Sequence, residues 1–137
     1  WYSLDAPRTQ VRAVLDVLDR PVAVSGDPAA DALAPWRRPS TVTIYAQTGQ
    51  SLASAGFVPV GSPDEATLTL CAPRDPGIWL PAPWVASGMP ICDPVQILYD
   101  LAVSRGSDRV EAGNHLRTAL CSTLSARWRA AVTESST

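Results

Sequence analysis

A short apolar run, a glycine turn and a helix start follow one another early in the chain, and this order restricts the folds that the chain can adopt. The run at 22–24 is Val-Ala-Val, and Ser25 and Gly26 end it. Asp27 can cap a helix, and Pro28 suits the first helical position because proline has no amide hydrogen to leave unpaired. A buried strand that turns directly into a helix is typical of folds in which helices cover a β-sheet.

The rest of the chain continues this alternation of helices and strands. Apolar periodicity predicts a helix over 7–20, and a β-branched and aromatic run predicts a strand over 41–46. Further strands are predicted at 57–60 and 66–72, and short extended pieces at 78–80 and 89–92. We therefore expect an α/β (α+β) fold, a small mixed sheet of about four to six strands packed by helices, with a helical pair at the C-terminus.

The helical pair has the clearest start signals in the sequence. Asp93 can accept from unpaired amides, Pro94 needs no partner, and Gln96 stands where a capping box has Glu or Gln. Asp108 can cap the second helix of the pair. The predicted buried positions are Val95, Leu98, Tyr99, Leu101 and Ala102 on the first helix and Val110, Leu116, Leu120, Leu124 and Trp128 on the second.

Length and composition indicate one compact domain. The chain has 137 residues, of which 46% are hydrophobic, which is enough for a core; we expect one domain over 1–132 and a disordered tail over 133–137. No run approaches the roughly 18 apolar residues of a membrane span, so we expect no membrane partner. The chain begins with Trp1 rather than Met and lacks a signal-peptide pattern, so we expect it to be part of a longer cytoplasmic protein.

The cysteines and the histidine do not indicate a metal site. There are three cysteines without a Cys-x-x-Cys pair, and one histidine. A zinc site with four Cys and His ligands would need every one of these residues. We interpret the cysteines as apolar thiols in a reducing compartment, and we expect neither a metal nor another cofactor.

The charge pattern opposes nucleic-acid binding by this chain alone. The net charge is −2, and the eleven cations are all arginines, of which only Arg37 and Arg38 are adjacent. Domains that bind nucleic acid usually carry a basic face, whereas scattered cations are typical of a solvated surface.

The sequence lacks the motifs of several catalytic sites. His115 is the only imidazole, and it lies four residues after Glu111, so the two side chains can pair on one helix face. No Gly-x-Ser-x-Gly motif accompanies it, and a phosphate-binding loop of the Gly-x-x-x-x-Gly-Lys type is excluded because the chain has no lysine.

The first half of the chain resembles the minimal nucleotidyltransferase core. In that core a Gly-Ser or Gly-Gly turn precedes a strand with two alternating aspartates, which can share a divalent metal. Here Ser25 and Gly26 supply the turn, but the aligned strand positions are Thr41, Thr43 and Tyr45. The resemblance therefore implies a degenerate, nucleotidyltransferase-like scaffold whose acidic metal ligands are missing.

Several stretches together resemble the C-terminal domain of AbiEi-type antitoxins, the transcriptional regulators of type IV toxin–antitoxin (abortive infection) systems. The resemblance covers 1–118. The matching stretches are Trp1-Tyr2, 22–30, 38–45, the helix with Gln96, Tyr99, Asp100 and Leu101, and the later Glu111-Ala112 and His115-Leu116-Arg117.

That resemblance implies a two-part bacterial regulator. A winged helix-turn-helix, missing from this chain, would precede residue 1 and bind the operator, so DNA would not be contacted by this chain. The present domain would carry the antitoxin or regulatory activity. The implied functional partner is a nucleotidyltransferase-like toxin of the same operon, which such antitoxins counter without a stable complex.

Two groups of polar residues are candidate binding faces. Arg37 and Arg38 beside Trp36 can meet an acidic partner or a phosphate, and the amides after Gly26 can hold an anion. Gln96 and Asp100, four apart, are either structural or a polar patch. The further candidates for these faces are Ser25, Asp27, Arg105 or Arg109, Glu111 and His115.

Three functions remain open from the sequence. The leading hypothesis is a non-enzymatic antitoxin or regulatory domain that works by binding. The first alternative is a degenerate nucleotidyltransferase-like enzyme that binds nucleotide and uses Ser25 or Asp27. The second alternative is a homodimerisation module of a DNA-binding regulator.

Overall fold

The computed structural model describes residues 1–80, 84–104 and 107–135, with side chains as far as residue 126 apart from that of residue 107. The helices are α1 (Pro7–Leu15), α2 (Gly26–Leu33), α3 (Pro94–Val103) and α4 (Ser107–Ser135). The strands are β1 (Val22–Ser25), β2 (Val42–Ala46), β3 (Leu68–Cys71), β4 (Trp84–Ala86) and β5 (Met89–Ile91). Short 3₁₀ turns lie at Ala53–Ala55, Pro63–Glu65 and Pro76–Trp79.

The five strands form one mixed sheet in the order β3-β2-β1-β5-β4. Strand β1 is antiparallel to β2, with Val24 opposite Ile44, and parallel to β5. Strand β2 is parallel to β3, and β4 is antiparallel to β5. The predicted α+β class, a mixed sheet covered by helices with two helices at the C-terminus, is confirmed.

The two faces of the central strands differ in polarity. Val24 pairs with Ile44, and both are fully buried in the core. Ser25 and Tyr45 lie on the other face, since side chains alternate along a strand. Helix α3 packs against β1, and both of these polar side chains bond to it. Helix α3 thus covers a polar patch of the sheet, whereas the valine and isoleucine face is fully apolar.

Several predicted boundaries were wrong. Helix α1 ends at Leu15 rather than at residue 20; the Asp16 amide bonds to the carbonyls of Arg12 and Val14, and the chain then turns. The segment 57–60 contributes a single bridge, from Val58 to Tyr2, instead of a strand. The segment predicted as extended at 78–80 lies in and just after the 3₁₀ turn Pro76–Trp79, and strand β4 was not predicted at all.

The buried faces of the last two helices also differ from the prediction. On α3, Ile97 and Leu101 are fully buried, whereas the predicted core residues Val95 and Tyr99 are 72% and 61% exposed. On α4, Leu116 is buried, but Val110 and Leu124 are exposed. The side chain of Trp128 lies outside the described residues. Helix α4 runs as far as Ser135, into the segment predicted as a disordered tail.

Within the described ranges, no helix is both long and apolar enough to cross a membrane.

Candidate functional site

The turn between β1 and α2 places a carboxylate inside the protein. Gly26 has a φ of +65°, and a Cβ at this position would lie 3.2 Å from Oγ1 of Thr43 on the neighbouring strand. A glycine is therefore favoured on two grounds, backbone conformation and space. The next residue, Asp27, starts the first turn of α2 with its side chain 3% exposed.

The sequence predicts that Asp27 caps its own helix, but its side chain does not do so in the structure. Ser25 is the N-cap residue of α2 and makes no side-chain cap bond. The Asp27 carboxylate instead accepts from Arg37 Nη2 at 3.0 and 3.1 Å and from both the amide and the hydroxyl of Ser40 at 3.0 Å. One buried carboxylate thus fixes the irregular segment 35–40, which carries the candidate binding residues.

A second arginine joins this carboxylate to α4. Arg109 Nε lies 3.8 Å from Asp27 Oδ1, and Arg109 Nη2 donates to Thr41 Oγ1 at 2.8 Å. Arg37 Nη1 in turn lies 3.9 Å from Asp108. Since the charge of Asp27 is shared between two guanidinium groups, the start of α4 is tied to the loop before β2.

A cleft of about 610 Å³ opens beside this loop, and we call it the Trp36 cleft. Its walls include the rigid rings of Pro7, Pro35 and Pro39, and its charged lining consists of Arg8, Arg37, Arg38 and Asp31. Arg8 is paired with Asp31 and Arg37 with the buried Asp27, so among the described residues Arg38 gives the cleft its one uncompensated positive charge, although the whole chain carries a net charge of −2. Such a cleft favours an anionic ligand.

The aromatic side chain of the cleft is held from one side. The Trp36 ring stacks on the His115 ring of α4, with centroids 4.7 Å apart and an interplanar angle of 28°. Trp36 is nevertheless 57% exposed. The predicted partner of His115 was Glu111, but Glu111 is exposed, and no ion pair joins the two among the described side chains.

The cations of the cleft differ in how far they are engaged. Arg8 pairs with Asp31 at 2.7 Å at the rim, and Arg37 is bound to Asp27. Arg38 is exposed and makes no hydrogen bond or ion pair within the described parts of the chain. It is therefore the cation most readily offered to a ligand.

The second predicted binding face, Gln96 and Asp100, is not a surface patch. Asp100 is 7% exposed and accepts from Ser25 Oγ at 2.5 Å and from Tyr45 Oη at 2.9 Å. Gln96 Nε2 donates to Asp100 Oδ1 at 3.1 Å and to Tyr45 Oη at 3.2 Å. This Asp100 cluster, Ser25, Tyr45, Gln96 and Asp100, joins α3 to β1 and β2.

Of the two cations that we expected near Asp100, only Arg109 is described, and it pairs with other groups. Arg109 contacts Asp27 and Thr41, as described above, and Arg105 lies outside the described residues. The predicted cap bond of Gln96 is also replaced, because its side chain turns toward Tyr45. Asp93 does cap α3, accepting from the Val95 amide at 2.8 Å, as predicted.

Burial and the nearby Asp100 keep the phenol of Tyr45 and the thiols of Cys92 and Cys71 protonated at neutral pH. Burial, then the hydrogen bond to Asp100, raises the pKa of Tyr45 above its usual value. Burial, then the charge of Asp100, raises the pKa of Cys92 to about 12 and also raises the pKa of Cys71. These groups act as proton donors and apolar neighbours at neutral pH rather than as anions.

The strand positions that align with metal ligands of the nucleotidyltransferase core carry hydroxyl groups. A cavity of about 400 Å³ is lined by Thr41, Thr43, Thr69 and Ser104, together with Arg109 and one carboxylate, Asp64. No group of three or more His, Cys, Asp or Glu side chains within the described ranges is placed to hold a metal ion.

Sequence reasoning missed four residues of these sites. Tyr45 was considered only as an aligned metal-ligand position on a strand, and no site role was predicted for Ser40, Arg8 or Asp31. Tyr45 carried one usable signal: it alternates with Thr43 on β2 and so shares a sheet face with Ser25. The pairing of Arg8 with Asp31 depends on how α1 meets α2, which no local pattern encodes.

No family model, curated protein or solved structure matches this chain.

Proposed function

We propose that this chain is a non-catalytic regulatory domain of the antitoxin type, which acts by binding through the Trp36 cleft. The observation that carries the proposal is the way the cleft is built. A buried carboxylate, Asp27, holds the segment with Trp36, Arg37 and Arg38 in place from behind. The loop thereby presents an exposed aromatic ring and a free cation at little cost in conformational freedom on binding.

The candidate site has the chemistry of recognition. Its exposed groups are an indole ring and guanidinium groups, which stack on and hydrogen-bond to anionic partners. The hydroxyls of Ser25 and Tyr45 are bound to Asp100 in the interior. The Asp100 cluster therefore has a structural role, and Gln96 and Asp100 do not form a binding face.

The antitoxin assignment comes from the resemblance to the AbiEi-type C-terminal domain. The pairing of β1 with β2 supports the degenerate nucleotidyltransferase-like scaffold that the sequence implies. So does the presence of Thr41 and Thr43 where that scaffold carries aspartates. The domain would counter a nucleotidyltransferase-like toxin, while operator DNA would be bound by a separate winged helix-turn-helix.

Co-expression with the toxin that the proposal implies, a nucleotidyltransferase-like protein of the same operon, tests the proposal. We expect induction of the chain to restore growth, measured as culture density, to at least half that of cells without the toxin. A matched culture expressing an unrelated domain of the same size controls for expression load. Unchanged toxicity at equal protein levels would refute the antitoxin role.

The enzyme alternative makes a different prediction. A transferase would release pyrophosphate from nucleoside triphosphates in the presence of magnesium and an acceptor RNA. We expect the rate with the purified chain to equal the rate without protein. A rate that rises in proportion to the chain concentration would favour the enzyme.

A further inference from the structure

The geometry points to a nucleotide, a planar base that carries a phosphate, as the ligand of the Trp36 cleft. This inference rests on the binding role proposed for the cleft. It differs from the nucleotidyltransferase-like turn, because the cleft lies beside the loop at 35–39 and not at Gly26.

The aromatic part of the ligand is indicated by Trp36. One face of its indole ring is stacked on His115, and yet the side chain is 57% exposed. The ring therefore keeps exposed surface for a second planar group. Because the stack on His115 restrains the ring, binding requires little further ordering of Trp36. Every nucleic-acid base can stack on an aromatic side chain, since every base has a π-face.

The phosphate is indicated by Arg38. It stands two residues after Trp36, is exposed, and has no partner within the described parts of the chain. Arg8, which also lines the cleft, adds a second cation, although Asp31 engages it. A guanidinium group matches phosphate oxygens with two parallel hydrogen bonds.

Size and charge favour a single nucleotide over a polymer. The cleft volume of about 610 Å³ lies within the range of roughly 300–1,000 Å³ that is typical of small-molecule sites. The chain carries a net charge of −2 and so repels an extended polyanion beyond the cleft. An acidic peptide would satisfy Arg38 but would leave the free face of Trp36 without a planar partner.

Isothermal titration calorimetry of the chain with AMP in EDTA tests the inference. We expect one AMP to bind per chain, and adenosine and inorganic phosphate to bind at least tenfold more weakly, since each provides only half of the contacts. Trp36→Ala and Arg38→Ala should each weaken AMP binding about tenfold, in line with the loss of one stack or one charged contact. Trp84→Ala and Arg74→Ala, at exposed residues outside the cleft, are the matched controls and should bind like the wild type.

Four results would overturn the inference. The first is the absence of a heat of binding with AMP, and the second is an equal loss of AMP affinity in the control variants. The third is tighter binding of an eight-residue thymidylate oligomer than of AMP. The fourth is binding of a poly-glutamate peptide in place of AMP. Circular dichroism verifies that each variant is folded. The growth-rescue experiment does not measure nucleotide binding, so the two tests are independent. Absence of AMP binding would overturn this inference and leave the antitoxin role intact. Absence of growth rescue would refute the antitoxin role and leave AMP binding intact.

Discussion

Ser25 and Asp100 are 75 positions apart in the chain, and the hydroxyl of Ser25 donates a 2.5 Å hydrogen bond to Oδ2 of Asp100. Ser25 ends β1 and Asp100 lies in the middle of α3, so the bond joins the central strand to a covering helix. Tyr45 adds a second bond from β2 to Oδ1 of the same carboxylate. Helix α3 is thus positioned on the sheet by polar contacts as well as by Ile97 and Leu101.

Replacing this carboxylate should destabilise the fold. In Asp100→Asn, an amide NH₂ takes the place of one acceptor oxygen and faces a hydroxyl donor. We expect the free energy of unfolding in urea to fall by about 1–3 kcal/mol. Asp19→Asn, at an exposed position, is the control and should change it by less than about 0.5 kcal/mol. Equal stability of the two variants would show that the cluster is dispensable.

Stability should decrease at alkaline pH because the folded state holds protons on Cys92 and Tyr45. The pKa of Cys92 rises from 9.0 to about 12 on folding, so its contribution is complete below pH 9 and is lost as the pH rises toward 12. Urea unfolding between pH 8 and pH 11 should show a fall above pH 9 of up to about 1.4 kcal/mol per pH unit from Cys92. Cys92→Ala should show a shallower fall; the same slope in both proteins would contradict the assignment.

The buried carboxylate of Asp27 should contribute far more to stability than the partly exposed carboxylate of Asp31 on the same helix. Asp27→Asn removes the charge opposite Arg37 and Arg109, and we expect a loss of about 2–4 kcal/mol in urea unfolding. Asp31→Asn breaks only the rim pair with Arg8, whose side chain is 69% exposed, and should cost under about 1 kcal/mol. Similar losses in both variants would mean that Asp27 does not organise the loop.

Gly26 should tolerate no side chain without cost. Gly26→Ala places a Cβ at a φ of +65° and 3.2 Å from Thr43 Oγ1, and we expect a loss of about 1–3 kcal/mol. Thr43→Ala removes the close oxygen but not the backbone strain. In a double-mutant cycle the pair should therefore recover only part of the loss. Full recovery, or no loss in the single variant, would disprove the dual role of Gly26.

The elements that could be predicted from the sequence are those with local signals. The run at 22–24 before Ser25 and Gly26, and the Asp93 cap before Pro94, are encoded within a few residues. Both are present in the structure, where β1 also pairs with β2. The candidate binding residues Trp36, Arg37 and Arg38 were likewise predicted from a local pattern, and they line one cleft.

Long-range partners could not be predicted in this way. Helix α3 is apolar at most positions, so periodicity fits a buried face with Val95 and Tyr99 as well as one with Ile97 and Leu101. The hydrogen bonds of Asp100 fix which face of α3 is buried. The sequence alone does not predict this, because a charged residue is normally expected at the surface. Asp27 was misassigned for the same reason: a helix start predicts a cap, but a loop more than ten residues away supplies its partners.

Growth rescue by cleft variants tests the central claim, that the chain works by binding through the Trp36 cleft. The chain carrying both Trp36→Ala and Arg38→Ala is co-expressed with the nucleotidyltransferase-like toxin that the proposed function implies, at a level matched to the wild type by immunoblot. The control carries Trp84→Ala and Arg74→Ala and has lost the same residue types outside the cleft. We expect the control to restore growth like the wild-type chain and the cleft variant to restore less than a tenth as many colonies. Equal rescue by the two double variants would contradict the claim.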